Sequence, residues 1–211
     1  MLYEKVKNLR NKIRENQPSI GSWIQLPSIG VANLMINAGY DWLCLDLEHG
    51  EIFEQDLASL VSLIQANGIP CFVRLRSKTI HEIRKVAEIG ASGVFIPNVK
   101  NIDEINLIYS NMVWPPRGER GIGYGRSNLY GQNFDTELES KIAPFIIPMI
   151  ESKEAVKNID SLTKSKKADI QCQTEAWRLS NWLKWLPRNI QNFVKKQIDL
   201  SIKTCTADAL A

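Results

Sequence analysis

The chain has 211 residues, a hydrophobic fraction of 44% and a formal net charge of +3. The length suits one domain and falls short of the roughly 250 residues of a typical complete eight-stranded α/β barrel. The small net charge and dispersed basic residues argue against a nucleic-acid-binding protein, and no stretch has the ~18 consecutive apolar residues of a membrane span. Four cysteines without a Cys-x-x-Cys pair favour a reducing compartment, so we expect a cytoplasmic protein.

Strand and helix patterns alternate from the N-terminus to about residue 112. The predicted strands cover 21–26, 42–45, 70–74 and 93–97, and the predicted helices cover 2–15, 28–38, 53–67, 80–89 and 102–112. Nearly continuous apolar runs in the strands indicate that both faces of the sheet are covered. Helices between successive strands predict a parallel sheet or a barrel.

The alternation stops at residues 113–141, where the stretch over 115–126 contains Arg117, Arg120, Arg126 and four glycines. So long a connection is usually functional or disordered. Two interpretations stay open: a loop whose backbone approaches an anionic ligand, or a surface loop with a short fifth strand near Ile122. A sixth strand is predicted over 142–151 and a helix over 152–162, which gives about six βα units.

The pattern is lost after about residue 165. We therefore divide the chain into an α/β barrel portion over 1–165 and a divergent, helical tail over 166–211. Helices are predicted over 175–186 and 190–202. An incomplete barrel leaves open sheet edges, and the tail tryptophans could cover them: Trp177, Trp182 and Trp185.

Charged side chains follow three of the predicted strands. Asp46 and His49 come after the strand over 42–45, Arg74 ends the next strand, and Glu151 ends the strand over 142–151. The carboxyl ends of parallel strands meet at one mouth, so these groups are expected to converge. Histidine moves protons near neutral pH, arginine stabilises a developing oxyanion, and a carboxylate with waters can hold Mg²⁺ or Mn²⁺. A structural ion pair between Arg74 and Glu151, with His49 as an ordinary loop residue, fits the same spacing.

Seven short motifs occur in order between about residues 5 and 162. They are Gly21-Ser22-Trp23, Ala38-Gly39-Tyr40-Asp41-Trp42, Asp46-Leu47-Glu48-His49-Gly50, Val73-Arg74, Gly90-Ala91-Ser92-Gly93-Val94-Phe95-Ile96-Pro97, Pro115-Pro116-Arg117-Gly118-Glu119-Arg120-Gly121 and Ile150-Glu151. Each motif alone is weak, but the ordered set resembles the HpcH/HpaI aldolase family of class II, metal-dependent pyruvate aldolases.

The resemblance implies a (β/α)8 barrel, a divalent metal (Mg²⁺, Mn²⁺ or Co²⁺) and a homo-oligomer. It implies that Glu151 is a metal ligand and that Arg74 stabilises the enolate oxygen. His49 and Asp46 match the family's His-Asp pair, which handles the proton of the 4-hydroxyl. The implied reaction is the reversible cleavage of a 4-hydroxy-2-oxo acid to pyruvate and an aldehyde, with small molecules as partners.

The sequence departs from the family in its last part. The family's second metal carboxylate lies in a Gly-Pro-x-Asp-Leu-Ser stretch on a seventh strand, and the likeness here stops after Lys167-Ala168-Asp169-Ile170. A reading-frame change near residue 170 would explain the loss, and we expect weak or absent aldolase activity. Two alternatives stay open: a non-catalytic truncated remnant of such an aldolase, and a citrate-lyase-type lyase acting on a CoA ester.

Overall fold

The computed structural model describes residues 2–15, 17–134, 143–165 and 167–168. These residues form one parallel sheet of five strands in the order β1 (Gly21–Ile24), β2 (Trp42–Asp46), β3 (Cys71–Arg74), β4 (Gly93–Ile96) and β5 (Phe145–Pro148). Each strand lies beside its predecessor, as in the wall of a barrel. In a doubly wound sheet the order of the strands reverses partway across the sheet. The predicted parallel α/β architecture is confirmed.

The helices of the described residues are α1 (Leu2–Arg14), α2 (Ile29–Asn37), α3 (Glu54–Ala66), α4 (Ile80–Ile89), α5 (Ile102–Met112), α6 (Lys153–Lys157) and α7 (Ile159–Thr163), with a 3₁₀ segment over Arg126–Gly131. The side chains of Ser28, Thr79 and Asn101 cap α2, α4 and α5 by accepting backbone N–H groups. The predicted helix over 152–162 is interrupted at Asn158, which ends α6 and begins α7.

Alternating side chains of the strands pack into two apolar clusters. One cluster lies between the sheet and α2–α5. The other is rich in aromatic rings, with Phe72 packed edge-on against Phe95 and Phe145 at ring-centroid distances of 5.9 and 5.4 Å. Val6 and Leu9 of α1 belong to this second cluster, so α1 packs on the interior side of the sheet. No described helix is long and apolar enough to cross a membrane.

The predicted number of strands was one too high. β5 pairs directly with β4, with Gly93 opposite Phe145, so the strand predicted as the sixth is the fifth. Residues 113–134 contain no strand, and Ile122 is exposed. Hydrogen bonds from two arginines of this segment, Arg120 and Arg126, hold it against the C-terminal ends of α3, α4 and α5 instead.

The tail predictions fall almost entirely outside the described residues. This applies to the helices over 175–186 and 190–202 and to the three clustered tryptophans, so the division at residue 165 stays a prediction. It applies equally to the sequence beyond position 168, where the family's second metal carboxylate was sought.

Candidate functional site

A buried ion pair between Asp46 and Arg74 forms the centre of the mouth. The two residues are register partners at the carboxyl ends of β2 and β3. Arg74 Nε donates to Asp46 Oδ1 at 2.7 Å, Arg74 Nη2 binds Oδ2, and Gln25 Nε2 donates to Oδ2 at 3.0 Å. Burial acts to raise the pKa of Asp46, but the hydrogen bonds from Arg74 and Gln25 outweigh it and lower the pKa. The carboxylate is therefore ionised and fixed in position.

The turn after β2 folds back onto Asp46. The backbone N–H groups of Glu48 and His49 each donate to Asp46 Oδ1 at 3.1 Å. The carboxylate thus binds the main chain of His49. The imidazole lies instead near Glu48, with 3.8 Å between His49 Nε2 and Glu48 Oε2, and its side chain is 64% exposed. The ring is therefore available to a ligand in the mouth.

Glu48 is a site residue that the sequence reasoning missed. Its Oε2 lies 3.5 Å from Arg74 Nη1 and, within the described residues, is buried without a hydrogen-bond partner. Burial raises the pKa of Glu48; the charges of Arg74 and His49 oppose this rise, and Glu151 adds to it. The signal was present in the sequence, because residues two apart at a strand end point to the same side. Glu48 follows Asp46 by two positions.

Glu151 joins the mouth from the far edge of the described sheet. It follows β5, and its Oε2 accepts the backbone N–H of Asn98, which follows β4, at 2.7 Å. The negative charge of Glu151 adds to the rise in the pKa of Glu48. The predicted residues therefore lie at one end of the sheet, where Glu48 contacts Arg74 and His49.

Arg76 holds the loop that carries Glu48 and His49. Its Nε donates to the carbonyl of Leu47 at 3.1 Å, and its Nη2 donates to the carbonyl of Ile52 at 3.3 Å. The guanidinium therefore spans the loop from its first residue to its last. Close packing adds to this, since a Cβ placed on Gly50 would lie 2.3 Å from the carbonyl oxygen of Asp46. The loop is anchored on both sides of His49.

A divalent cation fits the acidic side of the mouth only as an open site. Within the described residues, no three His, Cys, Asp or Glu side chains come together as a metal-binding group. Both oxygens of Asp46 are bound by Arg74, which leaves Glu151 and Glu48 as the acids able to contribute. Mg²⁺ is commonly bound through one or two carboxylates together with waters and substrate oxygens. The carboxylate of Glu151 and the unpartnered Oε2 of Glu48 are the described groups of the mouth that fit this pattern.

Fold and site together define a parallel α/β-barrel protein with an arginine, a histidine and carboxylates at the carboxyl ends of its strands. The model of the HpcH/HpaI aldolase/citrate lyase family matches residues 19–172. The chain belongs to this family, as its motifs predicted.

Its curated relatives include several aldolases. The chain is 30% identical over 161 residues to a 4-hydroxy-2-oxovalerate aldolase of Novosphingobium aromaticivorans, covering 74% of this chain and 60% of that protein. It is 28% identical over 159 residues to a 2-keto-3-deoxy-L-rhamnonate aldolase of Salmonella gallinarum, again covering 74% and 60%. The chain thus spans about three-fifths of the length of these relatives.

Solved structures confirm the barrel fold. An HpcH/HpaI aldolase/citrate lyase family protein from Burkholderia cenocepacia J2315 superposes with a TM-score of 0.73 at 25% identity, covering 79% of this chain and 68% of that one. An HpcH/HpaI aldolase from Desulfitobacterium hafniense DCB-2 superposes with a TM-score of 0.74 at 23% identity, covering 91% and 75%. The described strands therefore form part of a TIM-type barrel.

Proposed function

We propose that this chain is a carbon–carbon lyase that cleaves a 4-hydroxy-2-oxo acid to pyruvate and an aldehyde. The observation that carries the proposal is the fixed guanidinium of Arg74, 8% exposed and held by Asp46, with Glu48 and the imidazole of His49 beside it. The aldolase names of several curated relatives support the same reaction class. The substrate is a small molecule, and its aldehyde part is left open.

Arg74 supplies positive charge where the reaction develops negative charge. Two of its nitrogens are bound to Asp46, so the side chain is preorganised, and its Nη1 is the nitrogen nearest Glu48. As the C3–C4 bond breaks, its electron pair moves into the enolate, and the guanidinium stabilises the enolate oxygen. Preorganised charge of this kind costs no rearrangement during the reaction.

His49 is positioned to take the proton of the 4-hydroxyl. Its imidazole is exposed to the mouth, with 3.8 Å between Nε2 and Oε2 of Glu48, and an imidazole can accept a proton near neutral pH. Once the 4-hydroxyl has lost its proton and the C3–C4 bond has broken, C4 becomes the carbonyl carbon of the aldehyde. A proton added to C3 of the enolate then gives pyruvate. In this structure the contribution of Asp46 is to hold the main chain of His49 and the guanidinium of Arg74.

A divalent cation, Mg²⁺, Mn²⁺ or Co²⁺, held by Glu151 would polarise the 2-oxo group and remove the need for a Schiff-base lysine. Because the expected second carboxylate motif is missing from the sequence, we expect weak binding of the cation and slow turnover.

The test is pyruvate release by the purified full chain, assayed with each of the three metals and several 4-hydroxy-2-oxo acids. We expect slow release that stops on chelation and is lost in Glu151→Gln. Glu154→Gln is a matched control, since Glu154 is an exposed glutamate three residues away on α6. Release that persists after chelation, or in Glu151→Gln, would contradict the metal-assisted mechanism.

The missing motif also favours a second candidate, a non-catalytic remnant of such an aldolase. A remnant would release no pyruvate with any of the three metals and would show no metal binding that depends on Glu151. The citrate-lyase alternative is separated by comparing free acids with their CoA esters, because it predicts turnover of the ester alone.

A further inference from the structure

A cavity of about 610 Å³ lies at the end of the sheet opposite the mouth. Its walls come from α1, from the C-terminal ends of α3, α4 and α5, and from the segment over 113–133. The lining residues that matter here are Val6, Met112, Trp114, Arg117, Arg120 and Arg126. Cavities that bind small molecules commonly measure about 300–1,000 Å³, so the size suits a compact organic ligand.

Arg126 is a half-buried cation without a counter-ion among the described residues. Its guanidinium donates to Ser62 Oγ, to the backbone carbonyl of Ile89, and twice at 3.0 Å to Gln65 Oε1, all of which are neutral acceptors. Burial lowers the pKa of Arg126, and no described carboxylate opposes this effect. A buried charge is normally paired, so this arginine lacks the partner that its position calls for.

The neighbouring Arg120 shows what a compensated arginine looks like in the same wall. Its Nε donates to Glu88 Oε1 at 2.9 Å, and its remaining nitrogens bind the carbonyl of Met112 and the hydroxyl of Ser127. Glu88 is therefore used by Arg120, and Glu4, the carboxylate that lines the cavity, is exposed and accepts none of the hydrogen bonds described for Arg126. The positive charge of Arg126 is left to the cavity.

The rest of the wall contains a large apolar component. Val6, Met112 and Trp114 are buried and line the same space. A single inorganic anion would leave this surface without a partner, whereas a neutral apolar molecule would leave the guanidinium without one.

We propose that this cavity is a second binding site, for a small molecule with one anionic head group and an apolar body. The head group, a carboxylate or a phosphate, contacts Arg126, and the body packs against Val6, Met112 and Trp114. Because the site lies at the amino ends of the strands, it is distinct from the mouth around Arg74.

The test is isothermal titration of the full chain with benzoate and phenyl phosphate, which share an aromatic body and differ in head group. Benzamide tests the need for charge, and acetate and inorganic phosphate test the need for the apolar body. We expect one benzoate or one phenyl phosphate to bind per chain, at least tenfold more tightly than the other three probes. No binding of either aromatic anion, or equal binding of benzamide, would overturn the proposal.

Two variants locate the site. Arg126→Gln should weaken binding of the anionic probe at least tenfold. Because this change also removes contacts to Ser62 and Gln65, Ala143→Phe provides a second route: it keeps the charge, fills the cavity from its lining, and should abolish binding. Arg84→Gln is the matched control, since Arg84 is an exposed arginine that binds the neutral acceptors Asn111 and the Glu119 carbonyl outside the cavity.

Competition separates this site from the mouth. Oxalate, a planar dianion that resembles pyruvate enolate, should not displace the aromatic anion. Displacement by oxalate, or unchanged binding in both Arg126→Gln and Ala143→Phe, would place the probe elsewhere and overturn the proposal.

Discussion

Arg74 and Arg126 lie at opposite ends of the same sheet and have opposite electrostatic surroundings. Burial acts to lower the pKa of both. For Arg74 the hydrogen bonds and charge of Asp46 outweigh burial and raise the pKa, whereas Arg126 has only neutral acceptors and its pKa is lowered. At one end the carboxylate of Asp46 neutralises the charge of Arg74, and at the other no described carboxylate is bonded to Arg126. A half-buried guanidinium beside a cavity and without a carboxylate partner therefore indicates a ligand site more specifically than the number of arginines in the segment over 113–134.

Removing the carboxylate partner of Arg74 should cause the largest decrease in the free energy of unfolding. Asp46→Ala leaves the Arg74 guanidinium buried without its carboxylate, and loss of one partner of a buried ion pair costs about 3–5 kcal/mol. We expect a decrease of that size in the free energy of unfolding, measured by urea denaturation. The double variant Asp46→Ala/Arg74→Met removes the orphaned charge and should recover part of the loss. A double variant less stable than the single one would contradict this account.

Low pH should weaken the ion pair between Asp46 and Arg74 and so lower the free energy of unfolding. Because the pKa of Asp46 is lower in the folded protein than its unfolded value of ~3.9, its contribution is complete above that value and is lost as the pH falls through the folded pKa. We expect the free energy of unfolding to decline below about pH 4, and Asp46→Asn to reduce this decline. The raised pKa of Glu48 acts in the opposite direction, so both should be compared in a Glu48→Gln background. Parallel pH profiles would show that Asp46 is not the cause.

Removing the unbalanced charge should cost less. Arg126→Gln loses hydrogen bonds worth about 1 kcal/mol each, but it also removes an uncompensated half-buried cation. We expect a net loss of about 1–2 kcal/mol in the free energy of unfolding by urea denaturation, smaller than for Asp46→Ala. A loss equal to that of Asp46→Ala would show that Arg126 is compensated as fully as Arg74.

The smallest effect on global stability is expected for Arg76→Ala, which frees the loop over 47–52 from its clamp. Partly exposed contacts of this kind contribute about 1 kcal/mol or less. We expect faster amide hydrogen exchange in that loop and about a tenfold lower kcat with a smaller change in KM, because His49 loses its fixed position. Arg76→Lys cannot reach both carbonyls and should restore little. Unchanged exchange of the loop would rule out the clamp.

Much of the fold could be predicted from the sequence because the hydrophobic periodicity of each element agrees with the residues that begin and end it. The bounds of α4 and α5 match the prediction residue for residue, and Gly90 ends α4 with a φ of 80°, where a glycine is favoured. The strand count was less predictable. The segment over 113–134 has the glycines of a strand-bounding loop. Its place in the fold depends on contacts of Arg120 and Arg126 with residues 32 to 64 positions away, which no local pattern reveals.

The site was predictable in its location and less so in its contacts. Strand ends placed Asp46, Arg74 and Glu151 at one mouth, but spacing could not tell which carboxylate would bind the guanidinium. Register decides this, since Asp46 lies directly opposite Arg74 in the β2–β3 pair. The ion pair that the spacing left open between Arg74 and Glu151 is formed with Asp46 instead. The register that decides this is a property of the sheet and not of either strand alone.

The strictly sequential order of the sheet has a consequence for how the chain assembles. The first three pairings join residues only 21 to 28 positions apart, whereas Gly93 and Phe145 are separated by 52. Each doubling of a closed loop adds roughly 0.6 kcal/mol of entropic cost, so the fourth pairing is the least favoured by locality. Since domains begin to fold while synthesis continues, a four-strand nucleus ending at Ile96 can form on the ribosome well before its fifth member emerges.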